Sequence, residues 1–130
     1  MRSVWLNPDR MSKLPAKIFL RLYFGAAMIG PGKVTLLEHI RDTGSISAAG
    51  RAMAMSYKRA WMLVEEMNAA FADPVVESVR GGAKGGGAQL TATGIAVITQ
   101  YRAAETATAQ ATAPHITALQ ALLRDIPDGK

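Results

Sequence analysis

Apolar and polar positions alternate with period two over residues 16–24. Ile18, Leu20, Leu22 and Phe24 fall on one face and Lys17, Phe19, Arg21 and Tyr23 on the other, which predicts a strand. Residues 25–32 read as a loop closed by Gly30-Pro31-Gly32. The period then lengthens. Leu36, Leu37 and Ile40 predict the buried stripe of a helix over residues 33–43, with Gly44 ending it. Two helices follow in quick succession. One runs from a Ser45 or Ser47 cap to about Met53, the other from a Ser56 cap to about Phe71, where Asp73-Pro74 stops it. Residues 75–79 and 88–90 read as two strands around Gly81-Gly82-Ala83-Lys84-Gly85-Gly86-Gly87, a run holding five of the chain's 12 glycines. Thr91 is placed to cap an Ala/Thr-rich helix over residues 92–113. Pro114 is expected to break it before a last amphipathic helix presenting Ile116, Leu119, Leu123 and Ile126. Ahead of all this, Trp5 and Leu6 could anchor a short N-terminal helix.

This order predicts a mainly α fold with a small β-sheet: a winged helix-turn-helix over residues 1–91, then a helical dimerisation extension over 92–130. The helix pair has suitable chemistry. Ala48, Ala49 and Ala52 are small enough for helices to cross closely. Ile46 and Met55 are apolar and flank the first helix, and Ala60, Val64 and Met67 give the second a buried stripe. Met53, Met55 and Met62 are expected to fill gaps in the core. The second helix opens on Ser56, Tyr57, Lys58 and Arg59, which places hydroxyls and cations at an N-terminus whose N–H groups and dipole favour phosphate. Ser47 and Arg51 on the first helix are further candidate contacts. Arg80 at the base and Lys84 at the tip of the glycine-rich hairpin would reach backbone or minor groove. Trp61 has two readings, a contact to sugar-phosphate or packing in the core; its size favours the core. An ordinary helical hairpin with a solvated basic end remains the plainer alternative.

Charge sharpens this picture. The 130 residues suffice for one core and carry a net charge of +5. Residues 1–90 hold 12 Lys/Arg against 7 Asp/Glu, while residues 91–130 hold 3 of each. The basic excess thus lies with the helix pair and hairpin, and it points to a polyanionic partner. The neutral last third, with six alanines and three threonines in residues 103–113, suits a helix that packs closely on a neighbour, either a second copy or its own domain. There is no cysteine, which excludes disulfides, thiolate metal sites and cysteine nucleophiles. His39 and His115 are too few and too far apart to suggest a metal site, and His39 reads as a surface or boundary residue. Glu65 and Glu66 read as a solvated face, and no grouping of Ser, His and Asp suggests a triad, so no enzyme is expected. Neither glycine-rich stretch fits a nucleotide-phosphate loop. No stretch is long enough to span a membrane, and Arg21 interrupts the one signal-like segment, so a location in the cytoplasm is expected.

The run Ser56-Tyr57-Lys58-Arg59-Ala60-Trp61 followed by Glu66-Met67-Asn68 resembles the DNA-binding domain of ModE-type molybdate-responsive regulators. So does the stretch from Gly81-Gly82-Ala83-Lys84 to Leu90-Thr91-Ala92-Thr93-Gly94, and residues 44–56 resemble the helix-turn-helix of LysR-type regulators. The resemblance covers about residues 16–105. It implies a winged helix, a homodimer formed through helices outside the wing, and a palindromic double-stranded DNA site. Members of that family continue into molybdate-binding domains, whereas this sequence ends at Lys130. The expectation is therefore DNA binding with no cofactor and no small-molecule ligand. A protein-interaction module and an oxyanion sensor are the alternatives. One departure bears on the backbone. The family's turn between the two helices often carries glycine; here it is Ala54-Met55, which predicts slight strain.

Overall fold

The computed structural model describes residues 15–80 and 86–124. The chain forms two compact units, Phe19–Ala104 and a second whose described residues are 15–18 and 105–124.

The first unit begins with a β-hairpin. Strands β1 (Leu22–Phe24) and β2 (Ala27–Ile29) pair antiparallel, with Leu22 opposite Ile29 and Phe24 opposite Ala27. This corrects the sequence reading twice. The strand expected over 16–24 shortens to its last three residues, and the expected loop supplies its partner. Gly25, at φ 64, opens a two-residue turn that reverses the chain. With β2 only three residues long, residues 16–21 pair with no strand among the described residues.

Helix α1 (Pro31–Thr43) starts with proline in its first turn, where an N–H would be unpaired anyway. It buries Val34, Leu36, Leu37 and Ile40, and ends on Gly44 at φ 71, whose N–H donates to the Ile40 carbonyl. Helix α2 (Ile46–Ala52) is capped by Ser45, whose Oγ accepts the Ala48 N–H at 3.0 Å. Helix α3 (Tyr57–Ala70) is capped by Ser56, whose Oγ accepts the Arg59 N–H at 3.0 Å, and it buries Ala60, Leu63, Val64 and Met67. The α2–α3 crossing is set by Ala49, Gly50 and Ala60, while Ala52 is exposed. A Cβ on Gly50 would stand 3.1 Å from the Ala60 Cβ and 3.3 Å from the Met55 carbonyl oxygen. Ile46, Met53 and Met55 pack on the core as expected, but Met62 lies exposed. The turn between the helices carries the expected strain at Ala54, at φ 57, followed by a Met55 N–H donating to the Gly50 carbonyl at 2.9 Å.

Strands β3 (Val76–Arg80) and β4 (Gly86–Leu90) form the wing, antiparallel, with Val76 opposite Leu90 and Arg80 opposite Gly86. Asn68 of α3 fastens its base. Its Oδ1 accepts the Val75 and Val76 N–H groups at 2.8 and 3.2 Å, and its amide donates to the Val76 carbonyl at 3.3 Å. The mainly α composition with two small hairpins and a helix-turn-helix is that of a winged helix.

Helix α4 (Ala92–Leu122) is capped by Thr91, whose hydroxyl accepts the Gly94 N–H at 3.0 Å and donates to the Pro74 carbonyl at 2.6 Å. Its residues 92–104 belong to the first unit. There Ile98 and Tyr101 are buried, and the Tyr101 hydroxyl donates to the Leu20 carbonyl at 2.6 Å. Arg102 grips Glu38 of α1 with two hydrogen bonds, at 2.7 and 3.1 Å, and also reaches the Thr35 hydroxyl. Pro114 does not break this helix, contrary to the sequence reading. Proline's own φ is helical. Its cost is the one backbone bond to the Gln110 carbonyl, on an exposed stretch of the helix.

Two consequences are measurable. Ala54→Gly should raise stability by about 0.5–1 kcal/mol in denaturant unfolding, because relief of the left-handed conformation outweighs glycine's extra unfolded-state entropy. The second concerns Glu38, whose carboxyl the Arg102 hydrogen bonds and charge hold below its ordinary value, against opposition from partial burial. Its folded pKa is depressed, so its contribution is present above the unfolded value, about 4.3, and is lost as pH falls through the folded one. Unfolding midpoints measured from about pH 5 to pH 3 should therefore fall less steeply for Glu38→Gln than for the wild type.

Candidate nucleic-acid interface

The start of α3 is built to face outward. Ala60, Leu63, Val64 and Met67 point one side of the helix into the core, so Lys58 and Met62, four residues apart, lie along the opposite side. Ser56 satisfies the Arg59 N–H through its cap. The Tyr57 and Lys58 N–H groups, in the first turn, have no partner among the described residues, and no acidic residue occupies that turn. The helix dipole and the cations there reinforce one another.

The cations near the site divide into two sets; Lys17, Arg21 and Arg124, outside the helix pair and the wing, are also exposed and have no carboxylate partner among the described residues. Lys33, Arg41 and Arg102 are neutralised by Glu66, Asp42 and Glu38, at 3.2, 2.9 and 2.7 Å. Among the described residues, no carboxylate pairs with Arg51, Lys58, Arg59 or Arg80, and all four are exposed. Arg51 has a neutral partner: its guanidinium donates to the Ser47 Oγ at 2.9 Å, one turn back on α2. The pair presents a positioned cation on the outer face of α2.

A cleft of about 240 Å³ separates the helix pair from the wing, lined by Ser45, Ser47, Tyr57, Trp61, Ser78 and Gly87, among others. Trp61 is 45% exposed and Tyr57 55%. The preference for a core Trp61 is thus overturned. The core side of α3 is filled by Ala60, Val64 and Leu63, and Trp61 lies beyond it, on the flank facing the wing. In the sequence Ser45 reads only as a helix cap, and Ser78 is not singled out. Ser78 shares a face of β3 with Val76 by period two, which was the available signal.

The structure thus gathers Ser47, Arg51, Ser56, Tyr57, Lys58, Arg59 and Trp61 on α2 and α3, and places Arg80 at the end of β3. Lys84 and the wing tip lie outside the described residues. Gly87 has a role within the fold: a Cβ there would stand 2.7 Å from the Gly44 carbonyl oxygen. Among the described residues no group of His, Cys, Asp or Glu is gathered to hold a metal ion, and no helix is long and apolar enough to cross a membrane.

A helix start rich in unpaired cations beside a two-stranded wing defines the class: a winged helix-turn-helix with a surface suited to a polyanion. Comparison with known proteins adds similarity in sequence. The chain is 48% identical over 84 residues to the molybdenum-pterin-binding protein MopB of Rhodobacter capsulatus, and 42% over 73 to the molybdenum transport protein ModE of Azotobacter vinelandii. It is 38% identical over 89 residues to the DNA-binding transcriptional dual regulator ModE of Escherichia coli K12. These matches cover 65%, 56% and 68% of this chain but 31%, 27% and 34% of the relatives, so the chain spans about a third of their length. No family model matches it. Over that third of the relatives' length, the chain is similar in sequence to ModE-type proteins.

Proposed function

We propose that the protein is a transcriptional regulator that binds double-stranded DNA as a homodimer in the bacterial cytoplasm, and that its work is binding and not catalysis. The observation that carries this reading is the exposed first turn of α3, where Lys58 and Arg59 stand without carboxylate partners among the described residues, above two unpaired N–H groups. α3 enters a major groove, its N-terminal residues facing base edges and phosphate. Arg51, oriented by Ser47, and Arg80 at the wing approach the flanking backbone. The net charge of +5 and the naming of one relative as a DNA-binding regulator support the same reading. Residues 105–122 of α4 supply the dimer contact in this proposal. Their small Ala and Thr side chains permit close approach, and Leu119 and Leu122 there are 61% and 81% exposed. No small-molecule ligand is assigned to this chain.

Lys58→Ala and Arg59→Ala should each weaken duplex binding by about 1–3 kcal/mol in a low-salt titration, with unfolding midpoints unchanged, since both side chains are exposed. Full affinity in both variants would count against this surface. It would favour a winged helix that engages protein. Sedimentation at micromolar concentration should show a dimer for the full chain and a monomer for the Leu119→Glu, Leu122→Glu double variant; a monomeric wild type would remove the reason for a palindromic site.

A further inference from the structure

Tyr57, Trp61 and Met62 are large apolar side chains left exposed within six residues at the start of α3. Two of them have an evident place: Tyr57 and Trp61 line the cleft toward the wing. Met62 does not share that flank. At 3.6 residues per turn it lies a little over a quarter-turn further round than Trp61, in line with Lys58, on the side opposite the buried stripe. It is 41% exposed, where the sequence pattern placed it in the core. On a helix whose outward line otherwise carries Lys58 and Glu65, the exposed methionine is the one apolar group aimed where the proposed DNA would lie.

We propose that Met62 is a specificity-determining residue that reads a thymine C5-methyl group in the major groove. The inference rests on the DNA-binding reading above and deepens it. In the major groove the thymine methyl is the apolar mark that base pairs display, and side chains read it by apolar contact. Methionine is unbranched and polarisable, so its terminal methyl can settle against such a group without a fixed rotamer. Lys58 and Met62 are separated by about 6 Å along the helix axis, so the two reach base pairs within about two steps of each other. Lys58 supplies a donor for an acceptor such as guanine O6 or N7, while Met62 supplies the apolar contact. A guanine and a thymine close together in each half-site is the sequence signature this arrangement favours.

The test uses the full chain and duplexes selected from a random pool. In the preferred duplex each thymine is replaced in turn by deoxyuridine, which removes only the methyl group, and affinity is measured by titration. For the wild type, one such replacement per half-site should weaken binding about fourfold, the value of one buried methyl. The same replacement should cost Met62→Ala nothing, while Met62→Leu, which keeps an apolar tip, should retain much of the penalty. The dependence on salt should be alike in all three proteins, because no phosphate contact is altered. A wild type indifferent to every deoxyuridine replacement would overturn the proposal, as would a Met62→Ala variant with an undiminished penalty. Absence of salt-sensitive duplex binding by the wild type would instead overturn the reading beneath it, and this proposal with it.

Discussion

One close approach of backbone to backbone fixes the geometry of the site. The Ala88 N–H donates to the Gly44 carbonyl at 3.0 Å, which ties wing strand β4 to the end of α1. The approach needs glycine on both segments, at Gly44 and at Gly87 next to Ala88. Gly44 sits at φ 71, where a side chain is strained, and Gly87 leaves no room for a Cβ beside the Gly44 oxygen. Because Gly44 also leads directly into the Ser45 cap of α2, one residue sets both the direction of the helix-turn-helix and the seat of the wing. Asn68 holds the other strand by its first residues, so the hairpin is fastened at both legs. Arg80 and the basic start of α3 therefore belong to one constrained surface and not to independent loops.

The core beneath that surface depends on the α2–α3 crossing, where Gly50 fits between Ala60 and the Met55 carbonyl. Such a crossing brings two short helices close enough for a seven-residue α2, too short to be stable alone, to persist. The strained Ala54 is the cost of the tight turn this requires. On the far side, Arg102 and Tyr101 fasten the first part of α4 to Glu38 and to the Leu20 carbonyl.

Much of this is legible in the sequence because the informative residues act locally. The caps Ser45, Ser56 and Thr91 and the stop at Gly44 follow from chain chemistry within three or four residues. The misreadings have a common cause: they depend on partners distant in sequence or on which flank of a helix remains free. The β1–β2 hairpin was hidden because Gly25-Ala26 is too short to stand out in a longer glycine-containing stretch. Trp61 and Met62 look like core residues by type, yet smaller ones, Ala60 and Val64, had already filled the core side of α3. Pro114 carries a strong local signal for a break, but an exposed helix can pass through it at the cost of one backbone bond.

The central claim is that the first turn of α3, with its neighbours on α2 and the wing, is the surface that meets DNA. Its Tyr57 and Lys58 amides, lacking intrahelical partners, should exchange hydrogen rapidly in the free protein. The most direct measurement is peptide-resolved hydrogen exchange with and without duplex DNA at low salt. The account predicts slowed exchange over residues 45–47, 56–62 and 78–80, with no change across the buried part of α1. Unaltered exchange at 56–62 in a DNA-saturated sample, or protection confined to the β1–β2 hairpin, would contradict it.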